Sequence, residues 1–296
     1  LLNNRSRTYL LQDEDIKIRL PKREFDAYKY SAGKIFVLAG SRGLTGAAAL
    51  ASNAALLSGA GAVILGVPES LNSIMEEKVT EVMTLPLPEN SNGTLSSKSL
   101  ETIIQYINWS DVTLIGPGLG QNKELKKLLL DVISSVDKPL VLDADGLNNL
   151  QEETEKIKNY KNEIIITPHY GELSRLINKE TSEIAFNRIS IGRGVAKDLN
   201  ATVILKGAPT IIADKNGNIY INSTGNSGMA TAGSGDVLSG MSAGFFAQSR
   251  NPIDSAILSV YLHGLSGDIA KEEKTHYSML AGDLLKNISN AIKNFL

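Results

Sequence analysis

Short apolar runs alternate along the chain with longer segments in which apolar residues recur every three or four positions. The runs are rich in β-branched residues and predict strands at Ile35–Ala39, Val63–Val67, Val112–Ile115, Leu140–Leu142, Ile164–Ile166 and Val203–Leu205. Because most of these runs are apolar at every position, we expect helices to cover both faces of the strands, as in a parallel sheet. The alternation therefore predicts an α/β fold with right-handed crossovers.

Helices and a hairpin complete the predicted architecture. Helical spacing of leucine, alanine and other aliphatic residues is clearest at Leu50–Leu57 and at Leu125–Ile133. Ile211–Ala213 and Ile219–Ile221 flank Asn216-Gly217, a dipeptide that is a strong signal for a hairpin turn. We therefore expect antiparallel strands at the edge of a mostly parallel sheet.

The amino-acid composition excludes several kinds of catalytic and metal-binding site. The 296 residues include no cysteine and three histidines, which excludes disulfides, thiolate catalysis and a zinc ribbon. Two of the histidines, His263 and His276, are predicted to be structural. A net charge of −2 provides no field that attracts nucleic acid or anionic lipid, and no apolar stretch predicts a membrane span. We expect a cytoplasmic protein that binds small molecules.

Residues 31–296 are predicted to form one domain. The polar stretch Pro88–Ser99 is short enough to be a surface loop and does not divide the chain. Residues 1–30 mix basic and acidic side chains without the hydrophobic core of a signal peptide. We interpret them as an N-terminal lead-in to the domain.

Two glycine-rich loops follow the first and third predicted strands. Gly40–Ala47 has the spacing G-x-x-G-x-x-G, and the second loop is Gly116–Gly120. Ligands of an open parallel sheet bind beyond the carboxyl ends of its strands, and the backbone amides of such loops can meet a phosphate. Tight turns without a ligand explain both loops equally well.

Charged and imidazole side chains follow the later strands. Asp143-Ala144-Asp145 supplies two carboxylates that suit magnesium or a sugar hydroxyl, or that cap a helix. The segment 167–172 places His169 and Glu172 beside the same cleft, and we interpret His169 as a ligand contact. Lys206–Thr210 can donate to phosphates through the ammonium of Lys206 and the hydroxyl of Thr210. The alternative is that this segment only leads into the hairpin and is solvated.

The most informative segment is Asn222–Gly240, which is glycine-rich and ends in a predicted helix. Gly233, Ser234 and Gly235 come just before that helix, so their amides and its positive end can stabilise charge on a transferred phosphoryl group. Asp236 would face the same point and is suited to take a proton from an attacking hydroxyl. An aspartate that only caps the helix is the alternative.

Gly233-Ser234-Gly235-Asp236 resembles the G-x-G-D anion hole of the ribokinase-like superfamily, in which the aspartate is the base. With the other strand-end segments, it is similar to the ADP- or ATP-dependent NAD(P)H-hydrate dehydratases. Those segments are Ala39-Gly40-Ser41, Gly46-Ala47, Gly116–Gly120, Asp143–Asp145, Thr167–His169 and Lys206-Gly207. The resemblance implies a three-layer αβα fold with a central, mostly parallel sheet and antiparallel edge strands.

The resemblance also implies a reaction and a set of roles. In that family, hydrated NADH or NADPH (NADHX or NADPHX) is phosphorylated on its C6 hydroxyl by ADP or ATP, and loss of phosphate restores the dihydropyridine ring. By position, Ala47, Gly118, His169 and Asp236 would contact the hydrated dinucleotide, with Asp236 as the base. Nucleotide contacts would come from Lys206, Gly207, Ala208, Pro209, Thr210 and Gly235. Glu172 resembles the magnesium-linked glutamate of the superfamily.

Two other functions compete with this one. A small-molecule kinase of the same fold, such as a hydroxyethylthiazole kinase, would share the anion hole and release a phosphorylated product. A nucleotide-binding protein without turnover would use Asp236 only as a cap. The family resemblance further implies a homo-oligomer. The opening Thr8–Leu11 resembles the start of this domain in bifunctional proteins with a preceding epimerase domain.

Overall fold

Ten strands form one sheet in the computed structural model, which describes residues 7–296. The strands are β1 (Thr8–Leu10), β2 (Lys34–Leu38), β3 (Ala62–Pro68), β4 (Met83–Leu87), β5 (Val112–Ile115), β6 (Leu140–Leu142), β7 (Ile164–Ile166), β8 (Thr202–Leu205), β9 (Ile211–Ala213) and β10 (Ile219–Ile221). Their order across the sheet is β1-β10-β9-β8-β7-β6-β5-β2-β3-β4. Every pairing is parallel except β8 with β9 and β9 with β10.

Helices connect the strands and cover the sheet. They are α1 (Asp13–Lys17), α2 (Thr45–Leu57), α3 (Asn72–Lys78), α4 (Leu100–Trp109), α5 (Lys123–Ser135), α6 (Asp145–Asn148), α7 (Thr154–Lys158), α8 (Tyr170–Ile177), α9 (Thr181–Phe186), α10 (Arg188–Asp198), α11 (Ser234–Ser249), α12 (Pro252–Glu273) and α13 (Ala281–Lys293). Within residues 7–296, no helix combines the length and the apolar character needed to cross a bilayer.

The predicted strands and the hairpin are confirmed, but two edge strands escaped the sequence pattern. β4 contains Pro86 and has largely accessible positions, and β1 exposes Tyr9 and Leu10, so neither reads as an apolar run. β1 pairs in parallel with β10, and the nearby Leu11 and Ile16 are fully buried. This part of the predicted lead-in therefore contributes to the sheet and its core, whereas residues 1–6 of the lead-in lie outside the described residues.

Alternate strand residues feed two separate cores. In β2, Ile35 and Val37 belong to the core with α2, α11, α12 and α13, while Phe36 and Leu38 belong to the core with α4, α5, α8 and α10. Successive side chains of a strand point to opposite faces, so a wholly apolar strand needs a helical layer on each side. The three-layer αβα prediction is confirmed.

Glycines bring α11 unusually close to α2. A Cβ atom at Gly240 would lie 2.1 Å from the carbonyl oxygen of Ala51, and one at Gly244 would lie 2.6 Å from that of Ala55. The small residues of the segment 47–62 therefore serve packing within the chain. This close contact fixes the position of α11 beside α2 on one face of the sheet. It therefore also fixes where the amino end of α11 lies.

Candidate active site

The predicted site segments form a row along one edge of the sheet. β8, β7, β6, β5 and β2 are neighbours in that order, and their carboxyl ends lead to Lys206, His169, Asp143, Gly116–Gly120 and Gly40–Ala47. Four interstrand spacings of about 4.8 Å give this row a length of roughly 19 Å. The row is therefore long enough for an extended ligand.

Lys206 lies at the centre of a buried charge network. Its Nζ is 2.9 Å from Oδ1 of Asp143 and 3.5 Å from Oε2 of Glu172, and both carboxylates are almost fully buried. The hydroxyl of Thr167 donates to the same Asp143 oxygen at 2.7 Å. Burial opposes the charged form of Lys206, but the two carboxylates outweigh burial and raise its pKa. Lys206 therefore remains an ammonium ion.

His169 is held by the helix that it caps. Its Nδ1 accepts hydrogen bonds from the backbone N–H groups of Gly171 at 2.9 Å and Glu172 at 3.3 Å. In return, Oε2 of Glu172 accepts the backbone N–H of His169 at 2.8 Å, which completes a capping box at the start of α8. Burial lowers the pKa of His169. A neutral ring that accepts at Nδ1 carries its proton on Nε2, which lies on a half-exposed ring 3.5 Å from Oε1 of Glu172.

The amino end of α11 offers two free backbone donors. Gly233 precedes the helix with a φ of 93° and provides no side-chain cap. Ser234 N–H donates to Thr231, and Val237 N–H donates to Gly233. Within residues 7–296, the N–H groups of Gly235 and Asp236 between them have no acceptor. An anion hole requires such unpaired donors at a helix N-terminus.

Asp236 is the third residue of α11 and does not cap it, so the capping interpretation is wrong. Burial raises the pKa of Asp236 to about 7, the negative charge of Asp143 adds to this effect, and the ammonium of Lys206 opposes it. A carboxylate with such a pKa is well matched to accept a proton at neutral pH.

A cleft of about 640 Å³ opens beside this helix end. All six predicted nucleotide contacts line it, namely Lys206, Gly207, Ala208, Pro209, Thr210 and Gly235. The opposite wall includes the segment 222–227, in which Gly225 N–H and Asn226 Nδ2 donate to the carboxylate of Asp268 at 2.8 and 2.9 Å. The hydroxyl of Thr224 donates to the carbonyl of Tyr261 at 2.8 Å. Helix α12 thus anchors this wall.

Ala47 and Gly118 meet at the other end of the row. Gly118 has a φ of +64°, and a Cβ atom there would lie 3.1 Å from Cβ of Ala47. The hydroxyl of Ser41 donates to the Gly118 carbonyl at 2.8 Å, and Oδ2 of Asp145 accepts the Gly120 N–H at 2.9 Å. The two glycine loops therefore form one surface, and Asp145 holds that surface in place.

Sequence reasoning missed several members of the site. Thr167 was named only as part of the segment before His169, and Asp268 carried no signal because it bonds to residues over forty positions away. His263 was interpreted as structural, and it is buried, but it also lines the cleft. His276 contacts the hydroxyl of Ser227 at 3.0 Å.

Comparison with known proteins places the chain in a family. A model of the NAD(P)H-hydrate dehydratase family matches residues 35–290. The chain belongs to this family. It is 41% identical over 276 residues to the bifunctional NAD(P)H-hydrate repair enzyme Nnr of Moorella thermoacetica, covering 93% of this chain and 52% of that protein. The chain spans about half the length of the bifunctional relatives that it matches.

Relatives of the dehydratase family also include a protein of similar length and solved structures. The ADP-dependent (S)-NAD(P)H-hydrate dehydratase of Neisseria meningitidis is 33% identical over 292 residues, which is 96% of this chain and 93% of that protein. The ADP/ATP-dependent NAD(P)H-hydrate dehydratase of Bacillus subtilis, co-crystallised with ATP/Mg2+, superposes with a TM-score of 0.84 at 26% identity, covering 97% of this chain and 99% of that one. The predicted family is confirmed.

A hydroxyethylthiazole kinase from Pyrococcus horikoshii shares the fold. Its TM-score is 0.63 at 15% identity, and the superposition covers 95% of this chain and 94% of that one. At this identity, the likeness concerns the fold and carries no information about substrate.

The raised pKa of Asp236 predicts that Asp236→Asn stabilises the protein at alkaline pH. The pKa of Asp236 is raised from 3.8 to about 7, so the folded state keeps a proton that the unfolded state has lost, and wild-type stability falls as the pH rises between these values. Asparagine removes that titration. Melting temperatures should show a larger gain over wild type at pH 8 than at pH 5, with Asp198→Asn, at an exposed aspartate that ends α10, as control. An equal difference at both pH values would contradict the buried-carboxyl assignment.

Proposed function

We propose that this domain restores NADH and NADPH from their hydrates in a nucleotide-dependent dehydration. ADP would yield AMP and phosphate, and ATP would yield ADP and phosphate. Family membership and the names of the Moorella and Neisseria relatives support this assignment. The observation that carries it is the first turn of α11, which combines unpaired N–H groups at Gly235 and Asp236 with the Asp236 carboxyl of pKa about 7, and of which Gly235 lines the cleft.

The phosphoryl transfer follows from this arrangement. Asp236 accepts the proton of the C6 hydroxyl while that oxygen forms a bond to the terminal phosphorus, and the bond from phosphorus to the bridging oxygen of the nucleotide breaks. The N–H groups of Gly235 and Asp236 stabilise the charge on the transferred group. Lys206 lies beside them, since a Cβ atom at Gly235 would lie 3.4 Å from its Nζ. A base of this kind contributes about 10²–10⁴ in rate.

Elimination completes the reaction. The lone pair of the ring nitrogen expels phosphate from C6, and loss of a proton from C5 restores the ring double bond. Phosphate leaves far more readily than hydroxide, so phosphorylation by the nucleotide converts a poor leaving group into a good one. The row of strand ends from His169 to Gly118 and Ala47 would hold the dinucleotide, while the cleft beyond Lys206 would hold the nucleotide.

The site fits a magnesium ion that arrives with the nucleotide. The carboxylates of Asp143, Glu172 and Asp236 exceed the charge of the Lys206 ammonium in a region where phosphates would bind. No group of three acidic or histidine side chains within residues 7–296 forms a metal site unaided. Mg²⁺ is commonly held by one or two carboxylates together with substrate phosphates. We propose that Glu172 contributes to holding the ion, which would neutralise charge on the phosphates.

The proposal also covers the partner activity, the assembly and the location of the protein. The bifunctional relatives suggest that this activity works with an NAD(P)H-hydrate epimerase, either fused to it or as a partner. We propose a cytoplasmic homo-oligomer. A small-molecule kinase of the same fold is the alternative that the reaction has to exclude, because the fold by itself does not separate the two activities.

The reaction itself separates the two candidates. With magnesium and ADP or ATP, the protein should restore the dihydronicotinamide absorbance of acid-hydrated NADH and release about one phosphate per ring restored. Both signals should rise together, because the ring nitrogen expels phosphate as soon as it is attached. Flat absorbance together with phosphorylation of thiazole alcohols would establish the kinase instead.

Separate substitutions should divide the site into its two halves. His169→Asn keeps an oxygen that can cap α8 but removes the Nε2 donor, so we expect weaker binding of the hydrated dinucleotide and unchanged nucleotide affinity. Lys206→Gln should do the reverse, by about tenfold or more, because it removes a charged donor to phosphate. Calorimetric titration of both ligands against both variants gives four affinities. If both variants weaken the same ligand, the division is wrong.

A further inference from the structure

His263 occupies an unusual place for a residue predicted to be structural. It lies on α12, is 7% exposed, and lines the cleft beside the start of α11. Its Nε2 is 2.9 Å from the carbonyl oxygen of Ser234 and 3.4 Å from the hydroxyl of the same residue. A carbonyl oxygen only accepts, so Nε2 carries the proton and donates it.

The charge state of His263 is consistent with this role. Burial lowers its pKa to about 4. At neutral pH, the ring is therefore uncharged and has one N–H, which the Ser234 carbonyl occupies. The mechanism described above makes no use of this buried imidazole.

The bonded carbonyl belongs to the peptide unit that supplies an anion-hole donor. The carbonyl of Ser234 and the N–H of Gly235 lie in one rigid plane and point in opposite directions in a trans peptide. This peptide is at the first turn of α11, where no side-chain cap is present and the Gly235 N–H has no acceptor within the described chain. The bond from α12 therefore adds a second restraint, besides that of the helix itself, on the direction of the Gly235 N–H.

We propose that His263 is a positioning residue, which holds the Ser234–Gly235 peptide so that the Gly235 N–H faces the transferred phosphoryl group. The catalytic part of this inference rests on the proposed function. The α12 helix then has two tasks at the cleft, because it anchors the wall through Asp268 and orients the anion hole through His263.

Three variants test this role. His263→Leu removes the donor, and His263→Gln retains an N–H near the position of Nε2. Ser259→Ala is the matched control, because Ser259 lies one turn earlier on α12 and also bonds to α11, through the hydroxyl of Ser242 at 3.0 Å and away from the helix end.

We expect the leucine variant to lose about tenfold in kcat while the KM for hydrated NADH stays within about twofold. Complete loss of an oxyanion-hole donor costs about 10²–10³, and here the donor is misdirected but still present. The glutamine variant should recover most of kcat, and the control should match wild type. Equal losses of kcat in His263→Leu and Ser259→Ala, or no recovery with glutamine, would overturn the proposal. If the leucine variant does not fold, His263→Asn replaces it, because the asparagine side chain is too short for its amide nitrogen to reach the Ser234 carbonyl.

A spectroscopic readout separates this inference from the proposed function. In protein labelled with ¹⁵N-glycine and free of nucleotide, the Gly235 amide resonance should move in the leucine variant and return towards wild type in the glutamine variant. An unmoved resonance would overturn the positioning role even if turnover changed. If wild-type protein gave no turnover but the resonance moved as expected, the proposed function alone would fail.

Discussion

The ammonium of Lys206, buried against Asp143 and Glu172, is the constraint on which the site depends. It joins the carboxyl ends of β6 and β8 to the first turn of α8, and Thr167 on the intervening loop bonds to the same Asp143 oxygen. Removing one partner of such a pair leaves an uncompensated buried charge and costs about 3–5 kcal/mol. The network therefore fixes the strand ends, and the negative charge of Asp143 adds to burial in raising the pKa of Asp236.

The second requirement is a helix end held in one place with its donors free. Gly240 lets α11 pack directly on the backbone of α2, and α12 holds the opposite side through His263. The first turn of α11 can thus leave the N–H groups of Gly235 and Asp236 unpaired without fraying. Within the described chain those donors have no partner, so in the proposed reaction they are available to the transferred phosphoryl group.

How far the sequence could predict this structure depended on how local each signal was. The apolar runs of the central strands, the Asn216-Gly217 turn and the segment leading to Asp236 are local patterns, and the structure places them as expected. β1 and β4 were missed because edge strands do not need continuous apolar runs. The bond between Asp143 and Thr167, the clamp at Asp268 and the contact of His263 with Ser234 join distant positions, and single-residue patterns carry no information about such pairs.

In the proposed reaction, the C6 oxygen of the hydrate leaves as part of the released phosphate. Hydrating NADH in H₂¹⁸O labels that hydroxyl, and mass spectrometry of the phosphate formed with ADP or ATP then follows the label. One ¹⁸O atom is expected in each phosphate released, because the oxygen attacks phosphorus before the C6–O bond breaks. Unlabelled phosphate, with the ¹⁸O recovered in water, would contradict phosphorylation of the substrate.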